Sequence, residues 1–315
     1  MSGDFNASSD APSKPAEMIW PLRLSSPLML ASPHSGRDYP PGFLAQSVLD
    51  RSVLRCSEDC YVDLLIEPAT RLGVPSLRAL FPRIFIDPNR DAAELDPQLF
   101  QDPLPSQAQI TSPRVLAGLG VIPRVAADDR PIYGHQLPFR EAEERLERYY
   151  QPYHRSLLAA IKHIRGEFGH CLLLDCHSMP SAGAPLLVTG SGDADSATQA
   201  RGTGPGSRYG SEADFILGDC YGGACAEAVT AHVEAYLQQA GAAVRRNNPY
   251  SGGYVTQTYG RPAEGVHVLQ LEINRRLYMD ETKLAPNAGF SATRDLLNGL
   301  IASLRDAAAD LMKRR

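Results

Sequence analysis

No stretch of this 315-residue chain approaches the ~20 consecutive apolar residues that a membrane-spanning helix needs, so no membrane partner is expected. Basic patches are equally scarce. The chain holds 31 Lys and Arg against 36 Asp and Glu, a formal net charge of -5. Its short basic runs, Arg245-Arg246 and Lys313-Arg314-Arg315, fall short of the stripe that marks a nucleic-acid binder. The N-terminus has neither a basic n-region nor an apolar h-region, so no signal peptide is expected. Residues 1–16, rich in Ser, Asp and Pro, read as a disordered leader. Residues 17–315 read as one domain, with a cytoplasmic location as the expectation.

Several motifs are also missing. None of the six cysteines, Cys56, Cys60, Cys171, Cys176, Cys220 and Cys225, forms a C-x-x-C pair, so a structural zinc site is not indicated. In a cytoplasmic chain they are expected to be reduced, small buried thiols. The phosphate loop G-x-x-x-x-G-K-[ST], the nucleophile elbow G-x-S-x-G and the zincin H-E-x-x-H are absent. There is no internal repeat.

What is present is a set of four apolar runs, each ending in polar residues. They are Leu28-Met29-Leu30-Ala31, Ile84-Phe85-Ile86, Cys171-Leu172-Leu173-Leu174, and the run at 266–271, Val-His-Val-Leu-Gln-Leu. Each reads as a buried strand. Helical spacing appears between them at 58–72, 141–166, 220–240 and 292–312, and Pro152 is expected to kink or break the longest of these helices. Strands alternating with helices predict an α/β sheet covered on both faces. The Gly/Ser/Thr/Asp-rich stretch 191–210 has no apolar period and reads as a long functional loop.

All four runs end in chemistry: His34; Asp87, Asn89 and Arg90; Asp175 and His177; Glu272. Ligands of open α/β sheets bind beyond the carboxyl ends of strands, so these residues are candidates for one site. Two strand-end histidines plus a carboxylate match a catalytic zinc site that keeps one position open for water. The carboxylate is sought in Glu58-Asp59 or Asp63, with Asp59 preferred, and Asp175 is placed to orient His177. A carboxylate at the end of an apolar strand needs a partner or a task. Glu272 is accordingly assigned as general base, the alternative being an ion pair with Arg275 or Arg276. Asn89-Arg90 is suited to grip a substrate carboxylate. The stretch Tyr250-Ser251-Gly252-Gly253-Tyr254-Val255-Thr256 is either a substrate-contacting loop or a Gly-rich turn. A rival reading makes Cys176 a nucleophile beside His177, but adjacent strand residues face opposite sides.

Taken together, Ser32-Pro33-His34-Ser35-Gly36, Glu58-Asp59-Cys60-Tyr61-Val62-Asp63, Asp87-Pro88-Asn89-Arg90, Asp175-Cys176-His177-Ser178 and Leu271-Glu272-Ile273-Asn274-Arg275 resemble the N-formylglutamate amidohydrolase family. That family is distantly similar to the zinc carboxypeptidases and to the succinylglutamate and aspartoacylase deacylases. The resemblance implies a phosphorylase/hydrolase-like three-layer α/β sandwich with a mixed central sheet flanked by helices. It implies hydrolysis of N-formyl-L-glutamate to formate and L-glutamate, in one histidine-degradation route, with one zinc ion. It places His34, Asp59 and His177 on the metal, Glu272 as base, and Asn89, Arg90 and Arg275 on a small acidic N-acyl amino acid. Position 37, where the carboxypeptidases carry a glutamate ligand, is Arg37 here, so the acidic ligand is taken from Asp59. A deacylase for another N-acyl amino acid, or a silent metal-binding protein on the same fold, are the competing readings.

Overall fold

The computed structural model describes residues 14–126, 129–181 and 213–313. The stretch 191–210 and most of the expected leader lie outside the described residues, although Ala16 already belongs to a strand. The architecture is a mixed seven-stranded central sheet flanked by helices. Its strands are β1 (Ala16–Ile19), β2 (Leu28–Ser32), β3 (Ser76–Ala79), β4 (Cys171–Met179), β5 (Phe215–Gly218), β6 (Val244–Arg246) and β7 (Val266–Asn274). They lie in the order β1-β3-β2-β4-β7-β5-β6. β3, β2, β4 and β7 are parallel, and β1 and β5 join them antiparallel.

The centre of the sheet is β4 against β7, two nine-residue strands buried along their whole length. Side chains alternate across the sheet, and the two faces feed separate cores. Met29, Ala31, Leu173 and Val268 point to one side, under the helix Gln151–Phe168 and the long excursion between β3 and that helix. Leu28, Leu30, Leu172, Leu174, Cys176, Leu269 and Leu271 point to the other. There they meet the helices Val62–Ile66, Glu227–Gln239 and Phe290–Leu311. Each fully buried Leu, Met or Val contributes about 1.5–3 kcal/mol relative to exposure.

Four expectations are corrected. Ile84-Phe85-Ile86 is buried but is not a strand. Pro82 opens a turn there, its carbonyl accepting the Phe85 amide at 3.0 Å, and the three side chains drop into the core without a pairing partner. The strand lies earlier, at β3, so Asp87 to Arg90 still follow a strand but across an intervening turn. The helix expected at 58–72 is shorter: Val62–Ile66, then a 3-10 turn over Glu67–Leu72 with Pro68 in its first turn. Proline lacks the N–H that would continue the ladder. The longest helical stretch runs through Pro152 by widening just before it, as a π-turn over Leu146–Tyr150. The helix expected at 220–240 begins only at Glu227, because Cys220, Tyr221 and Gly222 all take left-handed conformations.

Candidate active site

His34 sits just beyond β2 in a turn held from several sides. The Ser32 and Ser35 hydroxyls bond to each other, and Ser35 Oγ accepts the Asp63 amide at 3.2 Å. Gly36 is required by close approach, since a Cβ there would lie 2.1 Å from the Phe81 carbonyl oxygen. The His34 carbonyl accepts the Asp59 amide at 3.0 Å, which carries the Asp59 carboxylate to the His34 ring. His177 arrives from β4, whose registered partner on β7 is Glu272.

Three atoms converge. Asp59 Oδ2 lies 3.3 Å from His34 Nδ1 and 3.1 Å from His177 Nδ1, and the two nitrogens are 3.1 Å apart. The outer ring nitrogens are occupied: His34 Nε2 meets Asp87 Oδ1 at 2.8 Å, and His177 Nε2 meets Asp175 Oδ2 at 3.0 Å. With Nε2–H donating to those carboxylates, both Nδ1 atoms turn lone pairs inward toward an anionic oxygen. Three buried acceptors facing one another call for positive charge between them. The protonation energetics agree. Burial pushes His177 down, but the Asp175 charge and the bonds from Asp175 and Asp59 hold it well above the ordinary histidine range. Burial pushes Asp59 up, yet its bonds to His177 and His34 hold it well below the usual carboxylate range. Asp87 is likewise held low against its burial, by the charges of Arg83 and His34. A divalent cation satisfies all three acceptors at once, and two histidines, one carboxylate and an open position make a donor set suited to catalytic zinc. The carboxylates behind each ring are the usual orienting partners of metal-binding imidazoles. Among the described residues, His34, Asp59 and His177 form a group able to hold a metal ion.

The other acids of the second motif are engaged elsewhere. Glu58 accepts the Tyr39 hydroxyl at 2.8 Å and faces Arg55 Nε at 3.3 Å. Asp63 pairs with Arg37 at 2.7 Å and Arg78 at 3.5 Å. The Cys176 thiol points into the opposite core and donates to the Leu174 carbonyl at 3.6 Å. Burial raises its pKa well above normal, which removes the nucleophile reading.

A cavity of about 230 Å³ opens on these atoms and is lined by His34, Asp59, His177, Glu272, Asn89, Arg90 and Arg275. Glu272 receives the Gln270 amide on Oε1 at 2.8 Å. Burial, reinforced by Asp59 and Asp175 and opposed by His177 and Arg83, raises its pKa to about 7. Asn89 Oδ1 accepts the Val255 amide at 2.8 Å, leaving Nδ2 toward His177 Nε2 at 3.4 Å. Gly253 must lack a side chain because a Cβ would come within 2.3 Å of that amide. Tyr250, Gly252 and Gly253 line the cavity, and the short helix Tyr254–Tyr259 follows them. Arg90 is buried and donates to the carbonyls of Leu119 and Asn89. Arg275 uses all three nitrogens within the protein, toward Ser178 Oγ and the carbonyls of Cys56 and Glu58.

Two cavity arginines fall outside the sequence motifs. Arg83 bonds Asp87 Oδ2 at 2.8 Å and lies 3.9 Å from Asp59 Oδ1. Its signal was available, as a lone charge within the apolar stretch from Leu80 to Ile86. Arg114 lies in a region without apolar periodicity, and nothing local marks it.

Comparison with known proteins follows the same motifs. The family model described as N-formylglutamate amidohydrolase matches residues 26–279. The chain belongs to the N-formylglutamate amidohydrolase family. Among solved members, an N-formylglutamate amidohydrolase from Ralstonia eutropha is 34% identical, with a TM-score of 0.80, over 95% of this chain and 99% of that one. An N-formylglutamate deformylase of Pseudomonas aeruginosa is 29% identical over 91% of this chain and 92% of its own length. A gene product of Agrobacterium tumefaciens, 16% identical with a TM-score of 0.63 over 94% of this chain and 95% of that one, shares the fold. The matched residues include every motif from Ser32 through Arg275.

Proposed function

We propose that this protein hydrolyses N-formyl-L-glutamate to formate and L-glutamate, using one zinc ion held by His34, Asp59 and His177. The observation that carries the reading is the meeting of three buried acceptors beside Glu272, at the bottom of an arginine-lined cavity. Family membership and the deformylase activity of the relatives support the substrate. When bound, zinc supplies Lewis-acid chemistry, polarising the formyl carbonyl and lowering the pKa of water toward ~7.

The protein's own groups perform the rest. Glu272 takes a proton from the attacking water as the new C–O bond forms. It then returns that proton to the amide nitrogen as the C–N bond breaks, and formate and the free amine leave. Gln270 fixes one Glu272 oxygen and leaves the other for this transfer. Asp87 and Asp175 hold the two imidazoles in the ligating tautomer. Arg83 sets a guanidinium beside Asp59 and Asp87, where it can face negative charge developing on the carbonyl oxygen. Asn89 and Arg90 anchor the α-carboxylate, which places the formyl group near the water. Arg275 is a cavity-wall strut that steadies the Asp59 turn, with Nη2 3.5 Å from Asp59 Oδ1. A cytoplasmic location and a place in histidine degradation go with this reading.

The test is formate release from a panel of N-acyl amino acids, with the protein metal-stripped and then reloaded with zinc. Formate from N-formylglutamate only in the reloaded protein is expected. Undiminished turnover after stripping sinks the metal, and release of a different acyl group instead of formate sinks the substrate.

A further inference from the structure

Of the four arginines that line the cavity, Arg83, Arg90 and Arg114 are neighbours in succession. Arg83 stands nearest the His34–Asp59–His177 group, facing Asp59, Asp87 and Glu272. Arg90 comes next, 4.0 Å from Asp87 Oδ2 and within the field of Arg114. Arg114 stands beyond Arg90, with Glu94 Oε2 at 3.9 Å. That Glu94 oxygen is buried and makes no hydrogen bond, while Oε1 is held by the Ser112 hydroxyl at 2.8 Å. The segment carrying Arg114 is locked to the one carrying Arg90. The Arg114 carbonyl accepts the Leu119 amide at 2.8 Å, and the Leu119 carbonyl accepts Arg90 Nε at 3.3 Å.

This pair is short of negative charge. Arg90 and Arg114 sit side by side in a mostly buried wall, with Arg114 only 16% exposed. Each has one carboxylate at the limit of ion-pair range. Burial lowers the Arg90 pKa to about 10, with Asp87 opposing and Arg114 and Arg83 adding to the fall. In an N-acyl glutamate the α-carboxylate is one bond from the carbon bearing the scissile nitrogen, and the second carboxylate is three bonds from that same carbon. A substrate whose formyl group reached the His34–His177 centre with its near carboxylate at Arg90 would direct its far one toward Arg114.

We propose that Arg114 grips the side-chain carboxylate of the substrate and so sets the preference for an acidic over a neutral side chain. This rests on the deformylase reading above and deepens it. Planar guanidinium pairs with carboxylate in two parallel bonds, and the 3.9 Å contact to Glu94 leaves the Arg114 fork open for it.

The experiment measures kcat/KM for N-formylglutamate and N-formylglutamine in the unmutated zinc enzyme, in Arg114→Gln and in Arg90→Lys, with thermal unfolding of each as a fold control. The ratio of the two substrates should collapse by about tenfold or more in Arg114→Gln, chiefly through KM. In Arg90→Lys the ratio should stay near the unmutated value while both constants fall. An unchanged ratio in a folded Arg114→Gln overturns the assignment and leaves the deformylase reading intact. An unmutated zinc enzyme that releases formate from neither substrate overturns both.

Discussion

On β4 and β7, Cys171 to Leu174 pair with Val266 to Leu269, and one step further along Asp175 to Ser178 pair with Gln270 to Ile273. Both halves are buried to the same degree: Leu173 and Val268 are 0% exposed, and Asp175 and His177 are 0% and 2%. Their chemistry is opposite. The first half is apolar apart from His267, which accepts the Ala226 amide at 3.1 Å and is driven by burial to a pKa of about 4, hence neutral. The second half keeps Cys176, Leu271 and Ile273 in the core on one face and presents Asp175, His177, Gln270 and Glu272 on the other. Burial of the first half stabilises the fold directly. Burial of the second costs desolvation that only mutual hydrogen bonds and a central positive charge offset. Depth in a sheet therefore does not define a core; what the buried atoms face does.

Several substitutions can break or sharpen this contrast. The largest effect on turnover is expected for His34→Ala and His177→Ala, each removing one converging nitrogen. Both should lose bound zinc, read by elemental analysis, and fall to background activity; full zinc content in both would sink the metal centre. Glu272→Gln should retain zinc while kcat drops on the order of 10²–10⁴-fold, and loss of zinc instead would make Glu272 a ligand. Asp175→Ala leaves the ligands in place but frees the outer nitrogen of His177, so zinc affinity in a chelator competition should weaken by about 10–100-fold; unchanged affinity would deny Asp175 its orienting role.

Metal binding should also depend on pH. His177 in the metal-free site is held well above the ordinary histidine range, with Asp175 and Asp59 overcoming the downward push of burial. At pH values below that raised pKa it is protonated, and zinc must displace the proton. Affinity therefore falls as pH falls, by about tenfold per unit for each proton released, and reaches its full value only above the raised pKa. Titration calorimetry in buffers of different ionisation enthalpy counts the protons; a count of zero contradicts the assignment. The smallest effect on turnover belongs to the apolar half. Leu173→Ala should cost about 2–5 kcal/mol in denaturant unfolding and leave kcat of the folded fraction near normal. A large fall in kcat with unchanged stability would erase the distinction between the two halves.

Much of the site was legible because its residues follow apolar runs. The runs at β2, β4 and β7 are short, continuous and bounded by polar residues, and His34, Asp175, His177 and Glu272 stand at their ends. The run at 84–86 looked the same and is a buried turn, because apolar content reports burial and not strand pairing. Arg83 was visible as an isolated charge in that stretch, whereas Arg114 had no local signal at all. The short strands β1, β3, β5 and β6 were missed for a related reason, having three or four residues each and no strong alternation.

The linear sequence determined the order of the chemical motifs, their placement after strands and the family to which they belong, because hydrophobic runs and short polar motifs are properties of neighbouring residues. Tertiary structure brought Asp59, already preferred over Glu58 and Asp63 in the sequence, against the histidines, and it alone brought Arg83 and Arg114 to the cavity. The choice of Asp59 follows from one backbone bond to His34, with Glu58 turned toward Tyr39 and Asp63 toward Arg37. The succession from Arg83 through Arg90 to Arg114 exists because a long excursion folds back over the ends of the strands. Contacts between residues far apart in the chain leave no periodic trace in it.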